Sequence, residues 1–109
     1  MPRTRAAGRD RGIGAARAVV KPWFLYLIEC RDGSLYTGIA VDVARRYDAH
    51  VAGKGARYTR SHPPLRLLAA WAYPDRSSAS KAEFQLKQLP AAQKRRLAHT
   101  GDRPLVPPG

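Results

Sequence analysis

Trp23 to Cys30 is a nearly unbroken apolar run, rich in aromatics and of a length that suits a strand buried on both faces. Asp32-Gly33 then signals a hairpin turn, and Ser34 to Ile39 reads as the partner strand. From Val43 the period lengthens. Val43, Tyr47 and Val51 recur at helical spacing, and Asp42 is placed to cap a helix running to about Ala52. Gly53-Lys54-Gly55 ends that helix, and a basic loop is expected from Ala56 to Pro64. Leu65 to Tyr73 reads as a third strand, broken by Pro74-Asp75-Arg76. Ser77 is expected to cap a second helix reaching about Leu89, with Ala79, Ala82, Leu86 and Leu89 on its buried face. Pro90 suits the first turn of a short third helix, which Gly101 terminates. The order is β-β-α-β-α-α. It predicts an α/β fold, a small three-stranded antiparallel sheet flanked by helices.

The flanks lack this patterning. Residues 1–21 carry six basic residues, one acid and no aromatic, so a disordered basic tail is expected there. Residues 22–101 form the expected folded unit, and 102–109 read as an extended Pro-rich tail. The chain's 109 residues make room for one domain. A unit this small buries only about 60–65% of its unfolded surface.

Charge sharpens the picture. Twenty Lys and Arg stand against eight Asp and Glu, a formal net charge of +12. A polyanionic partner is expected, nucleic acid before any other, since neutralised phosphates release counterions. The single cysteine, Cys30, excludes an internal disulfide and a cysteine-based metal site. The longest apolar runs fall far short of the roughly 20 residues that span a bilayer, and the N-terminus has no apolar segment of signal-peptide length. A cytoplasmic protein with no membrane partner is expected.

Candidate chemistry lies along the patterned segments. On a helix, Arg46 and His50 sit together at one border of the Val43-Tyr47-Val51 stripe, while Arg45 points to solvent. Glu83 borders the buried face of the second helix, within reach of pairing with a lysine. Tyr26 and Tyr36 depend on the hairpin. A two-residue loop would put their phenols on opposite faces. A three-residue loop, Arg31-Asp32-Gly33, with a left-handed Gly33, pairs Tyr36 with Ile28 and brings both phenols to one face. Two phenols, a cation, an imidazole and a carboxylate in a chain this basic read as a metal-assisted phosphodiester site.

The same residues resemble the GIY-YIG nuclease superfamily, and within it the small stand-alone members. Tyr26 through Ile39 is similar to their opening hairpin. Asp42-Val43-Ala44-Arg45-Arg46 with His50, then Gly53 through Arg60, resemble their first helix and basic loop. Asp75 through Leu89 resembles their glutamate helix. The resemblance implies a divalent-metal-dependent endonuclease acting on DNA, in repair or processing. It implies one magnesium or manganese ion held by Glu83. Tyr26 would orient or deprotonate the attacking water, Tyr36 would bind the phosphate or assist that step, and Arg46 would stabilise the pentavalent charge. His50 would assist proton transfer or hold the phosphate. Lys54, Arg57, Tyr58, Arg60 and Lys87 would contact the nucleic acid. A compact domain favours structure-selective over sequence-specific binding. The chain departs from the family pattern in three ways. Phe24-Leu25 replaces the first glycine, Thr37 replaces an isoleucine, and no Asn is present, where many catalytic members use a late one. The alternative is a nucleic-acid-binding module on the same fold.

Overall fold

The structure, a computed structural model, describes residues 21–102. All of the expected N-terminal tail but Lys21, and all of the C-terminal tail but Asp102, lie outside the described residues. Strands β1 (Trp23–Cys30), β2 (Leu35–Ala40) and β3 (Pro64–Tyr73) form one antiparallel sheet in the order β2-β1-β3. The most apolar strand, β1, is therefore central, where both its faces can be buried.

Alternation along β1 divides the core. Leu25 and Leu27 point to one face, where they pack with Trp71 and Tyr73 against helix α3 (Arg76–Lys87) through Ala79, Ala82 and Leu86. Helix α4 (Ala91–Thr100) adds Leu97 and Ala98 to the margin of that cluster. Leu25 and Leu27 are fully buried, each contributing roughly 1.5–3 kcal/mol. Tyr26, Ile28 and Cys30 point to the opposite face and meet Val43 and Tyr47 of helix α1 (Val43–Val51). Among the described residues, no helix is long and apolar enough to cross a membrane.

Three local expectations are corrected. The loop expected after Gly55 contains a short helix, α2 (Arg57–Ser61), so the order becomes β-β-α-α-β-α-α. Residues 56–62 contain neither Gly nor Pro, and the turn closes through Arg60 N–H to Ala56 C=O at 3.1 Å and His62 N–H to Tyr58 C=O at 2.8 Å. Helix α3 is capped by Asp75, not Ser77: the Asp75 carboxylate accepts from Ser78 N–H at 2.8 Å. Helix α1 is also rotated from its expected face. Val51 is 59% exposed and His50 is fully buried, so the inward side runs through Val43, Arg46, Tyr47 and His50.

Candidate functional site

The hairpin decides whether the two phenols can cooperate. Residues 31–33 form the three-residue loop, closed by Gly33 N–H to Cys30 C=O at 2.9 Å and Cys30 N–H to Ser34 C=O at 2.8 Å. Gly33 has φ 87°, the left-handed conformation such a loop demands. The resulting register pairs Ile28 with Tyr36 and Tyr26 with Gly38. Tyr26 and Tyr36 therefore share the α1 face of the sheet, their ring centroids 6.4 Å apart.

Gly38 is required by space. A Cβ there would fall 2.6 Å from Cζ of Tyr26, so the Tyr26 ring lies across the bare backbone of β2. Gly55 does the same for His50, whose Cγ would be 2.6 Å from an added Cβ. Both close approaches let the rings sink into the wall between β1, α1 and α2.

The Tyr26 hydroxyl lies 2.9 Å from Nε2 of His50, and Nδ1 of His50 lies 2.6 Å from the Thr59 hydroxyl. All three side chains are buried. Thr59 in turn donates to the Ala56 carbonyl at 3.2 Å. Tyr36 packs edge-on to the His50 ring with centroids 5.1 Å apart. Arg46 projects from the same side of α1, and its Nη2 donates to the Gly55 carbonyl at 2.6 Å.

Electrostatics follow from burial. Desolvation lowers the His50 pKa, and the neighbouring Arg46 cation lowers it further, so the imidazole is held neutral. Desolvation raises the Tyr26 pKa, Tyr36 and Glu83 raise it too, and the Arg46 guanidinium pulls the other way. Burial outweighs the Arg46 cation. Tyr26 is thus a neutral phenol beside a neutral imidazole.

Glu83 lies on α3, near enough for its charge to act weakly on the Tyr26 phenol. Its carboxylate is 21% exposed and meets the half-exposed Lys87 ammonium at 3.5 Å, an i,i+4 pair. Such a pair is worth only about 0.3–0.5 kcal/mol, so a competing cation displaces it at little cost. Among the described residues no three His, Cys, Asp or Glu side chains gather around one point. An ion held here would take one carboxylate and draw its other oxygens from water and substrate, a donor set magnesium accepts.

Lys54, Arg57 and Arg60 are exposed on and beside α2. Tyr58 is 37% exposed and stands in a ring stack, 5.8 Å from Tyr36 and 4.0 Å from His62. A surface depression of about 740 Å³ lies on the outer side of α3 among Arg76, Lys81 and Phe84 and contains none of the candidate residues. A smaller one of about 310 Å³ is lined by Arg46 with Ala40, Asp42, Arg45 and Ala49. Chemistry, not size, locates the site. Sequence reasoning missed Thr59, hidden in what read as a loop, and the Glu29–Arg66–Arg95 cluster. The Gly- and Pro-free stretch 56–62 was the available signal for the first.

The chain is similar to known proteins. A family model described as the GIY-YIG catalytic domain matches residues 22–96. A UPF0213 protein of Xanthomonas axonopodis pv. citri is 59% identical over 69% of this chain and 74% of its own. The UPF0213 protein YhbQ of Escherichia coli is 50% identical over 73% of this chain and 80% of its own. The solution NMR structure of the UPF0213 protein BH0048 from Bacillus halodurans shares 43% identity, covering 72% of this chain and 84% of that one, with a TM-score of 0.47.

Proposed function

The chain belongs to the GIY-YIG family, a family of nucleases acting on nucleic acid, and from that premise we propose a divalent-metal-dependent DNA endonuclease. The observation that carries the reading is the buried Tyr26–His50 hydrogen bond beside Arg46. A water meeting Tyr26 gives its proton to the phenol oxygen while the phenol's own proton passes to Nε2 of His50. The hydroxide so formed attacks phosphorus, and the 3′ or 5′ oxygen leaves with the bond electrons. Tyr26 is only 1% exposed, so this water reaches it with the substrate, past the half-buried Tyr36 and Arg46. Its raised pKa makes Tyr26 a poor resident phenolate and explains why a neutral imidazole behind it is needed.

Arg46 stabilises charge on the phosphoryl oxygens, and Tyr36 orients the phosphate. GIY-YIG nucleases are generally divalent-metal dependent. In this chain Glu83 would hold one magnesium or manganese ion, which supplies Lewis-acid neutralisation of the phosphate charge. Lys54, Arg57, Arg60 and Tyr58 form the surface for the nucleic-acid backbone, joined by Lys87 once it leaves Glu83. Residues 22–101 are the working unit, acting in the cytoplasm on DNA structures that arise in repair or processing.

The test is nicking of plasmid and branched DNA in magnesium by the wild type and Glu83→Gln, with folding followed by circular dichroism. Glu83→Gln should lose on the order of 10²-fold or more in rate while retaining DNA binding. Equal cleavage by folded Glu83→Gln removes the metal site from the reading. A wild type that binds DNA and RNA tightly but cleaves neither replaces the nuclease with a binding module.

A further inference from the structure

Helix α2 carries a buried hydroxyl outside the residues that the sequence points to. Thr59 is 1% exposed and its Oγ1 stands 2.6 Å from Nδ1 of His50, on the ring edge opposite Tyr26. A buried polar group in an otherwise ring-filled wall calls for a reason, and the direction of its bonds supplies one.

Three side chains share this line, and a neutral His50 has one N–H to place. In one arrangement Tyr26 O–H donates to Nε2, Nδ1–H donates to Thr59, and Thr59 O–H donates to the Ala56 carbonyl. Every proton then has an acceptor. In the reverse arrangement Thr59 donates to Nδ1 and Nε2–H donates to Tyr26. The Tyr26 proton is then turned toward Arg46, a side chain with donors only. The Ala56 carbonyl also loses its hydroxyl partner and keeps only Arg60 N–H. The first arrangement satisfies the buried groups and the second does not. The groups facing His50 from the packed elements are Tyr26 on β1, Tyr36 on β2, Arg46 on α1 and Thr59 on α2.

We propose that Thr59 is a positioning residue that holds His50 in the Nδ1–H form, keeping Nε2 open to accept the Tyr26 proton. The assignment of a catalytic purpose to that tautomer rests on the nuclease reading above. Thr59 touches no substrate; it acts through His50. Gly55 belongs to the same device, because only a residue without Cβ leaves the ring free to reach the hydroxyl.

The experiment reads the tautomer directly, by long-range ¹⁵N–¹H correlation of the His50 ring in wild type, Thr59→Val and Thr59→Ser, alongside cleavage rates. Wild type should show protonated Nδ1. Thr59→Val keeps the shape, removes the acceptor, and should move His50 toward Nε2–H. It should slow cleavage by roughly 10- to 100-fold, the scale of lost outer partners of metal-bound histidines. Thr59→Ser should restore both. Protonated Nε2 in the wild type overturns the proposal without any variant, so it is exposed even if Thr59→Val does not fold. An unchanged tautomer and rate in folded Thr59→Val overturns it as well. If wild type shows Nδ1–H, Thr59→Val shifts it, and no cleavage is seen with any substrate, the tautomer assignment stands and the nuclease reading fails.

Discussion

Two polar clusters hang from β1, three residues apart and on opposite faces of the sheet. On the α1 face, Tyr26 meets His50, whose other ring nitrogen meets Thr59, and all three side chains are buried and uncharged. On the α3–α4 face, Glu29 is gripped by Arg66 at 2.7 Å and Arg95 at 2.6 Å, with both guanidinium groups part exposed. Arg95 also donates to the Gly33 carbonyl at 2.7 Å. The second cluster thus ties α4 to the hairpin turn and to β3, where Arg66 is the cross-strand neighbour of Glu29. The difference lies in what a proton can do. Glu29, its pKa lowered first by Arg95 and then by Arg66, stays ionised at neutral pH and serves as an anchor. The Tyr26–His50 pair is neutral and at hydrogen-bond distance, 2.9 Å, so a proton can cross it. One strand carries both, because alternation separates them.

The largest expected effect breaks the comparison at its functional end. Tyr26→Phe and His50→Gln should each reduce single-turnover cleavage on the order of 10²-fold or more, with the fold retained by circular dichroism. Glu29→Gln should leave the rate close to wild type and lower Tm by several degrees, since two cations lose their anion. A Glu29→Gln rate as low as that of His50→Gln would mean that the two clusters are coupled.

A smaller effect is expected at Gly38. Gly38→Ala forces a methyl into the Tyr26 ring, an overpacking cost of about 1–3 kcal/mol. Chemical denaturation should report that loss. Cleavage at temperatures where the variant is folded should fall further, because the phenol is pushed off His50. Full activity in folded Gly38→Ala would show that the ring has room to move without consequence.

Acid separates the clusters least strongly but distinctly. Free His titrates near 6.5, and the fold holds His50 below that value. As pH falls from 6.5 toward the folded pKa, the unfolded chain binds more protons, so stability declines. Glu29 has an ordinary value of 4.5, lowered in the fold, so its contribution is present above 4.5 and is lost as pH falls through the folded value. Tm against pH should decline in two windows, and Glu29→Gln should shrink only the lower, of which Asp32 and Asp75, also held below the ordinary carboxylate value, keep a part. Loss of the upper window in Glu29→Gln would contradict this assignment.

Local pattern settled a good deal of this protein. The apolar run 23–30, the Asp32-Gly33 turn, the Asp42 cap and the Ala79-Ala82-Leu86 face are short-range features, and each element stands where its own residues put it. Tyr26, Tyr36, Arg46 and His50 could be picked out because their spacing follows the periods of strand and helix. The rest needed chain segments that are distant in sequence. Tyr26 and His50 are separated by 24 residues and Glu29 and Arg95 by 66, and no periodicity reports whether such pairs meet. Burial decided that His50, not Val51, faces inward and that the Tyr26 pKa rises despite Arg46. Docking of α2 onto α1 gave Thr59 its partner. Desolvation and hydrogen-bond direction depend on everything that surrounds an atom, and that surrounding exists only once β1, α1 and α2 have packed.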